Sequence, residues 1–436
     1  MDQLTAAPES GARTLNTAEI IAIGSELLGS TRLDTNSLFL SAQLSSLGIE
    51  LRAKSVVGDS RREVAEFLRR ALDRVDLVIL TGGLGPTDDD VTRDAVSDVL
   101  GVPLLENPEI VDRLARRFAR RNLRMPEVNR RQALVLQGGV VLDNPNGTAP
   151  GQMVECGHQV VLLLPGPPRE LQPMMEAAAR DIMAARVGKE RLFRTALFVV
   201  GRGESHVEEL AQPVYSTWVD AVPPIETTIL AAPGQIELHL VTRTRDADLA
   251  ERTLARARGQ ILAVLGPDVF SVDGRSMEEI VGQLLLDARL TIAAAESCTG
   301  GLMMSRLTDV AGSSSYVLGG AVVYSNALKV ELAAVPAGLI EAHGAVSEPV
   351  ANALAQGIRA RTGASIGVGI TGIAGPSGGT ASKPVGTVAL AVAAPDGSVK
   401  ARTVSLFGSR TMIKFQATQL ALDMVRRLLS PTPASG

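Results

Sequence analysis

A chain of 436 residues, 45% hydrophobic and 21% charged, is long enough for roughly three domains of about 150 residues each. Its net charge of -4 and its 3% aromatic content exclude a dedicated nucleic-acid surface, which needs clustered Lys and Arg interleaved with stacking rings. Its two cysteines, Cys156 and Cys298, argue for neither a disulfide framework nor a thiolate metal site.

Residues 1–16, rich in Ala, Thr, Pro and Ser, lack the basic-then-apolar pattern of a secretory leader and read as a mobile tail, as do residues 430–436. No apolar run approaches the ~18 residues of a membrane span, so a cytoplasmic protein with no membrane partner is expected. From 17 to 172 strand and helix patterns alternate. Strands are predicted over 19–23, 49–57 and 77–81, helices over 35–47, 61–74 and 90–100, and a last strand over 160–164, ending at Pro165-Gly166-Pro167-Pro168. This alternation predicts a parallel sheet covered by helices. Arg113, Arg116, Arg117, Arg120, Arg121 and Arg124 recur at helical spacing, which reads first as a solvated face or subunit contact and second as a phosphate site.

Residues 173–266 change character, with strands over 192–200, 225–231 and 235–242 and helices over 205–213 and 247–265. This is a small α+β unit. Its Gly201-Arg202-Gly203-Glu204 is similar to the tight loop of a KH-like module, and a structural or dimerising role, hence a homodimer, is expected. A third unit, again α/β, runs over 275–430 with very small residues in its strands at 365–370 and 387–394, which lets helices pack close to the sheet.

Two turns carry the chemistry. In the first unit, Thr81-Gly82-Gly83-Leu84-Gly85-Pro86-Thr87-Asp88-Asp89-Asp90 follows a strand; its glycines offer backbone amides to a phosphate and its carboxylates offer hard ligands to a divalent cation. An acidic first helical turn would explain one or two of the aspartates but not the glycines. Segments 24–29, 34–37, 144–151 and 164–170 are expected to line the same crevice.

In the third unit, Ala295-Glu296-Ser297-Cys298-Thr299-Gly300-Gly301 sets Ser297 and Cys298 between a buried strand over 290–295 and a helix from 302. Free N–H groups at such a helix start favour developing negative charge, although an N-cap with packing glycines is the competing reading. Of the four histidines only His343 falls in this unit, so a Ser-His-Asp triad is poorly supported. The alternative base is a lysine made neutral by burial, and Lys329, after the apolar strand 319–323, is the candidate. The turn 371–380 should converge with the Ser297 turn at the carboxyl ends of the strands, where Lys383 and Arg410 could supply charge for a phosphorylated substrate. Cys298 is the rival nucleophile, disfavoured because a thiolate needs a cation such as His to hold it ionised.

AESCTGG at 295–301, YSNALK at 324–329, HGAVSEPVA at 343–351 and GITGIAGPSGGTASKPVGTV at 369–388 resemble the carboxyl-terminal domain of the CinA competence/damage-inducible family. The first-unit segments resemble the amino-terminal domain of the same family, similar in fold to molybdopterin-binding proteins. The resemblance runs from residue 18 to about 429. It implies a nicotinamide mononucleotide amidohydrolase, needing no cofactor, with Ser297 as nucleophile, Lys329 as base, Thr371 and Arg410 at the polar and phosphate-facing positions, and Tyr324, Cys298, Gly300, Gly301 and Gly372 around them. For the first unit it implies a metal-dependent ADP-ribose pyrophosphatase, with Thr81, Gly82, Gly83, Gly85, Asn146 and Gly166 on the nucleotide and Glu26, Asp88 and Asp89 as metal ligands. The runner-up is a molybdopterin-binding or DNA-uptake accessory protein whose pockets bind without turnover; adenylyl transfer in the first unit is a third possibility.

Overall fold

The computed structural model describes residues 14–430; the expected tail residues 1–13 and 431–436 lie outside the described residues. Two compact units divide the chain. One holds it up to Leu192 together with Arg243–Ala247, and the other holds Phe193–Thr242 and the chain from Asp248 onward.

The first unit contains strands β1 (Thr17–Ile23), β2 (Glu50–Val57), β3 (Leu77–Thr81), β4 (Leu104–Glu106), β5 (Leu134–Leu136), β6 (Val140–Leu142), β7 (Gly151–Cys156) and β8 (Gln159–Leu164). A six-stranded sheet takes the order β2-β1-β3-β8-β7-β6. Strands β2, β1, β3 and β8 are mutually parallel, as the sequence predicts, while β7 and β6 run antiparallel at one edge. That edge escapes the periodicity reading because a tight turn at Gly157, not a helix, joins β7 to β8.

Helices α1 (Asn36–Ser46), α2 (Arg61–Leu72), α3 (Thr92–Leu100), α4 (Pro108–Ala119) and α5 (Pro168–Ala178) complete the unit. Successive strand residues point to opposite faces, so the central strands feed two cores. Ile20 and Ile79 pack with Leu40 and Leu44 of α1 and Leu171 of α5; Ile21 and Leu80 pack with Val64 and Leu68 of α2 and Val96 of α3. Leu15, expected in the tail, is instead buried, and its N–H donates to Arg186 O at 2.7 Å. The basic run rides on α4 and the turn after it: Arg113 pairs with Asp143, and Arg117 donates to Gly147 O at 2.6 Å.

In the second unit β9 (Arg191–Val199), β10 (Ile225–Ala232), β11 (Gln235–Thr244) and β12 (Val269–Ser271) form a sheet ordered β10-β11-β9-β12, covered by α6 (Glu204–Tyr215) and α7 (Ala247–Leu265). A second sheet contains β13 (Ile292–Glu296), β14 (Val317–Val322), β15 (Ile366–Gly372), β16 (Thr387–Ala393) and β17 (Val399–Ser405), in the order β14-β13-β15-β16-β17. Here β14, β13 and β15 are parallel and β16 and β17 antiparallel. The helices are α8 (Met277–Ala288), α9 (Leu302–Thr308), α10 (Asn326–Ala333), α11 (Ala337–His343), α12 (Glu348–Thr362) and α13 (Arg410–Leu429). Among the described residues no helix is long and apolar enough to cross a membrane.

The small residues have the expected consequence. Helix α12 lies so close to the sheet that a Cβ at Gly367 would sit 2.0 Å from Ala355 O, and one at Gly369 would sit 2.2 Å from Ala351 O. Those obstacles are backbone and cannot rotate away, so a larger residue must push the helix off β15. Overpacking of this kind costs about 1–3 kcal/mol and more where backbone must move. Gly369→Val is therefore expected to lower stability by at least about 3 kcal/mol in urea titrations; a loss below about 0.5 kcal/mol, the range of neutral surface changes, would contradict the packing.

Candidate functional sites

Parallel strands place the second-unit site. Glu296 ends β13 opposite Val322 of β14 and Ile370 of β15, so the residues after each strand emerge at one level. Two bonds lock that level: Ser297 N–H donates to Ile370 O at 2.9 Å, and Val323 N–H donates to Glu296 O at 2.8 Å. Ser297, Tyr324 and Thr371 thereby gather at the carboxyl ends of adjacent strands, where open α/β sheets bind ligands.

Glu296 decides which groups in the turn remain free. Its side chain is buried and accepts the N–H groups of Gly301 at 3.0 Å, Met303 at 3.2 Å and Met304 at 3.0 Å. A carboxylate at a helix start meets the dipole and the orphan amides together, each charge-assisted bond being worth about 1.5–3 kcal/mol. Gly300 N–H is taken by Ser297 O at 3.2 Å. The N–H groups of Gly300 and Gly301, which the resemblance places around the nucleophile, are thus spent on protein oxygens and are not free for substrate. Among the described residues, the N–H groups of Cys298 and Thr299 donate to no protein oxygen. The buried Thr299 Oγ1 also lacks a partner.

Lys329 sits on α10, whose N-cap Ser325 Oγ accepts Leu328 N–H at 3.2 Å. Its side chain is buried and its Nζ donates to Tyr324 O at 3.1 Å. Burial pulls the ammonium below the usual lysine range because the charged form loses hydration; the nearby Cys298 sulfur acts in the opposite sense. Burial pushes the Cys298 thiol up to about 12; its own backbone N–H, turned to the sulfur, opposes this, the Glu296 charge adds to it, and Arg410 and Lys329 oppose it. Cys298 packs in the apolar core with Met303 and Ile370. Ser297 Oγ makes no hydrogen bond to a described residue.

The other predicted residues divide. Arg410 donates to Gly375 O at 2.7 Å and to Tyr324 OH at 3.2 Å, so Arg410 and the exposed Tyr324 form one rim. The Thr371 hydroxyl is buried and donates to Ala345 O at 2.8 Å, a bond that ties its loop down. Gly372 ends β15, where a Cβ would lie 2.7 Å from Val388 Cγ2. Lys383 donates to His343 O at 3.0 Å and Val346 O at 2.7 Å, which spends the charge expected for substrate. The sequence reading missed the role of Glu296, although the residue lay inside the motif, and missed Lys414, which no motif marks.

In the first unit a cleft of about 410 Å³ opens at the carboxyl ends of β1, β3 and β8, lined by Gly24, Glu26, Asp59, Gly82, Gly83, Gly85, Asp89, Gly166 and Glu170. The glycine turn is held from beneath. Thr92 Oγ1 donates to Gly82 O at 2.7 Å, and the buried Arg93 donates to Leu84 O and Gly85 O, both at 2.8 Å; burial lowers this guanidinium to about 10. At Gly83, φ is +63° and a Cβ would lie 2.2 Å from Thr92 Oγ1, so only glycine closes the turn.

The amide donors are fewer than expected. Gly82 N–H bonds Leu164 O at 3.0 Å and Gly85 N–H bonds Asp90 Oδ1 at 2.7 Å, leaving Gly83 and Leu84. Asp90 also accepts Thr87 N–H at 2.9 Å, which is why α3 begins at Thr92 and not at Asp90. Thr81 is buried within β3, and Asn146 is turned to Arg169 O at 2.7 Å; neither lines the cleft.

The three expected metal ligands are not brought together. Glu26 and Asp89 face the cleft, but Asp88 lies outside it and accepts Arg131 Nη1 at 2.7 Å. Two further acids line the cleft: Asp59, which the sequence reading missed, accepts Ser25 N–H at 2.8 Å, and Glu170, at the end of the expected segment 164–170, accepts Asn144 Nδ2 at 2.9 Å. Among the described residues no group of three or more His, Cys, Asp or Glu could hold an ion. The donor set does not fit a preformed metal centre, and no chemical step is derived through one.

Two family models match the chain: one described as "CinA C-terminal domain" over residues 274–429 and one described as "Probable molybdopterin binding domain" over residues 19–185. A CinA-like protein of Koribacter versatilis is 46% identical over 418 residues, covering 94% of this chain and 99% of that protein. The chain belongs to the CinA family. Another CinA-like protein, from Solibacter usitatus, is 44% identical over 413 residues, covering 95% of this chain and 98% of its own. A crystal structure of the competence/damage inducible protein CihA from Agrobacterium tumefaciens, 39% identical, covers 35% of this chain and 96% of that one at a TM-score of 0.34. The amino-terminal sheet is thus the molybdopterin-binding-like part of a CinA chain, and the AESCTGG turn lies in its CinA carboxyl-terminal domain.

The thiol chemistry gives a direct check. With the thiol raised to about 12 and buried, Cys298 should resist iodoacetamide at pH 8 while the half-buried Cys156 reacts, and both should label after unfolding. Native labelling of Cys298 faster than Cys156, read by peptide mass spectrometry, would contradict this environment.

Proposed function

We propose that the carboxyl-terminal domain deamidates nicotinamide mononucleotide to nicotinate mononucleotide and ammonia, with Ser297 as nucleophile and Lys329 as base. The observation that carries this reading is the buried Lys329, its ammonium disfavoured by lost hydration, beside strand ends that also present a Ser297 hydroxyl with no hydrogen-bond partner among the described residues. In its neutral form Lys329 takes the Ser297 proton as Oγ attacks the carboxamide carbon. The tetrahedral oxyanion then falls to the two amides that Glu296 leaves free, Cys298 and Thr299. The Lys329 ammonium returns the proton to the leaving nitrogen, ammonia departs, and water activated by the same lysine cleaves the acyl-serine.

For the amino-terminal domain we propose ADP-ribose hydrolysis to AMP and ribose 5-phosphate, supported by a cleft at the strand ends with two free amides in a glycine turn. In this metal-dependent reading the divalent ion would arrive with the diphosphate, since no ready-made triad holds it among the described residues. The competing reading is binding without turnover, and one assay separates them. Purified protein is given each substrate with and without divalent metal, and ammonia and AMP are measured.

Ser297→Ala and Lys329→Ala should each cut ammonia release by about 10³-fold or more while AMP release is unchanged. Because the base acts when unprotonated, kcat/KM for ammonia release should fall as pH drops through the Lys329 pKa, and that limb should lie below the ordinary lysine range. Loss of both activities in either variant, or a flat pH profile, would defeat the two-site reading.

A further inference from the structure

We infer that Lys414 is a specificity-determining residue that, with Arg410, forms a subsite for a phosphate monoester at the mouth of the Ser297 turn. This rests on the amidohydrolase reading of the same crevice and assigns how its substrate is recognised. Both residues lie on α13, four positions apart and so on one face of the helix. A Cβ built at Gly300 would lie 3.7 Å from Lys414 Nζ, which puts this ammonium against the backbone of the nucleophile turn.

The other cations around the crevice are committed to protein oxygens. Lys329 donates to Tyr324 O, Lys383 to His343 O and Val346 O, and Arg410 to Gly375 O and Tyr324 OH. Lys414, half-buried, has neither an ion pair nor a hydrogen bond among the described residues. Solvated surface lysines commonly lack partners. This one differs by its place, beside a turn whose carboxylate, Glu296, is buried and occupied by three amides.

The arrangement reads a dianion well. Arg410 keeps N–H groups beyond the two it spends and offers a fixed fork, while Lys414 offers a mobile point charge. A neutral riboside could reach Ser297 but would leave Lys414 unmatched. A phosphorylated substrate matches it and is oriented by it, so selection between nucleotide and nucleoside falls to α13 and not to the residues that do the chemistry.

The test compares the full-length wild type with Lys414→Ala and Lys414→Arg on nicotinamide mononucleotide and on nicotinamide riboside. A lost charged hydrogen bond is expected to raise KM for the mononucleotide about tenfold or more in Lys414→Ala, with kcat changed less, kcat/KM for the riboside unchanged, and Arg restoring most of the loss. Equal losses on both substrates, or no loss on the mononucleotide, would overturn the subsite. If the wild type turns over neither substrate, the amidohydrolase reading has failed. The subsite is then judged by calorimetric binding of the mononucleotide: weaker binding to Lys414→Ala supports it, and unchanged binding overturns it.

Discussion

One buried carboxylate sets the electrostatics of the carboxyl-terminal site. Glu296 carries its charge to the first turn of α9 and satisfies three amides there, so the place most favourable to an anion already holds one. Two consequences follow from that occupancy. In the proposed reaction, negative charge would fall to the earlier amides of Cys298 and Thr299. The thiol beside it is kept protonated. Of the surrounding cations, Lys329, Lys383 and Arg410 bond protein oxygens, and Lys414 alone has no partner among the described residues.

The two sites are built on the same plan and differ in how their turns are satisfied. Both lie at the carboxyl ends of parallel strands, where loops converge without breaking the sheet. The amino-terminal turn is closed on itself by Asp90 from above and Thr92 and Arg93 from below, which fixes its shape but consumes donors and acids alike. The carboxyl-terminal turn is braced by the Glu296 side chain and by backbone bonds of Ser297 and Gly300, which leave the Ser297 hydroxyl and the Cys298 and Thr299 amides without a protein oxygen among the described residues.

Much of this was legible in the residues, and the exceptions have physical causes. Strand and helix alternation exposes a parallel sheet because buried parallel strands are continuously apolar, and the glycines of β15 announce the close approach of α12. The antiparallel edges β6–β7 and β16–β17 are hidden because hairpins lack an intervening helix to mark them. Ser297 and Lys329 stand out by type and setting. The fates of Lys383, Thr371 and Asp88 do not, since a side chain that bonds another segment of the protein, dozens of residues away, looks in sequence like one reserved for a ligand. Lys414 is invisible for the converse reason: its place depends on α13 passing the Ser297 turn, more than a hundred residues away in the chain.

The acyl-serine intermediate is the most direct test of the account. Wild-type protein quenched in acid during turnover of nicotinamide mononucleotide, then digested and weighed by mass spectrometry, should carry an adduct equal to the substrate less ammonia on the peptide containing Ser297, at the hydroxyl. An adduct on Cys298, or undiminished ammonia release by Ser297→Ala without any adduct, would contradict it.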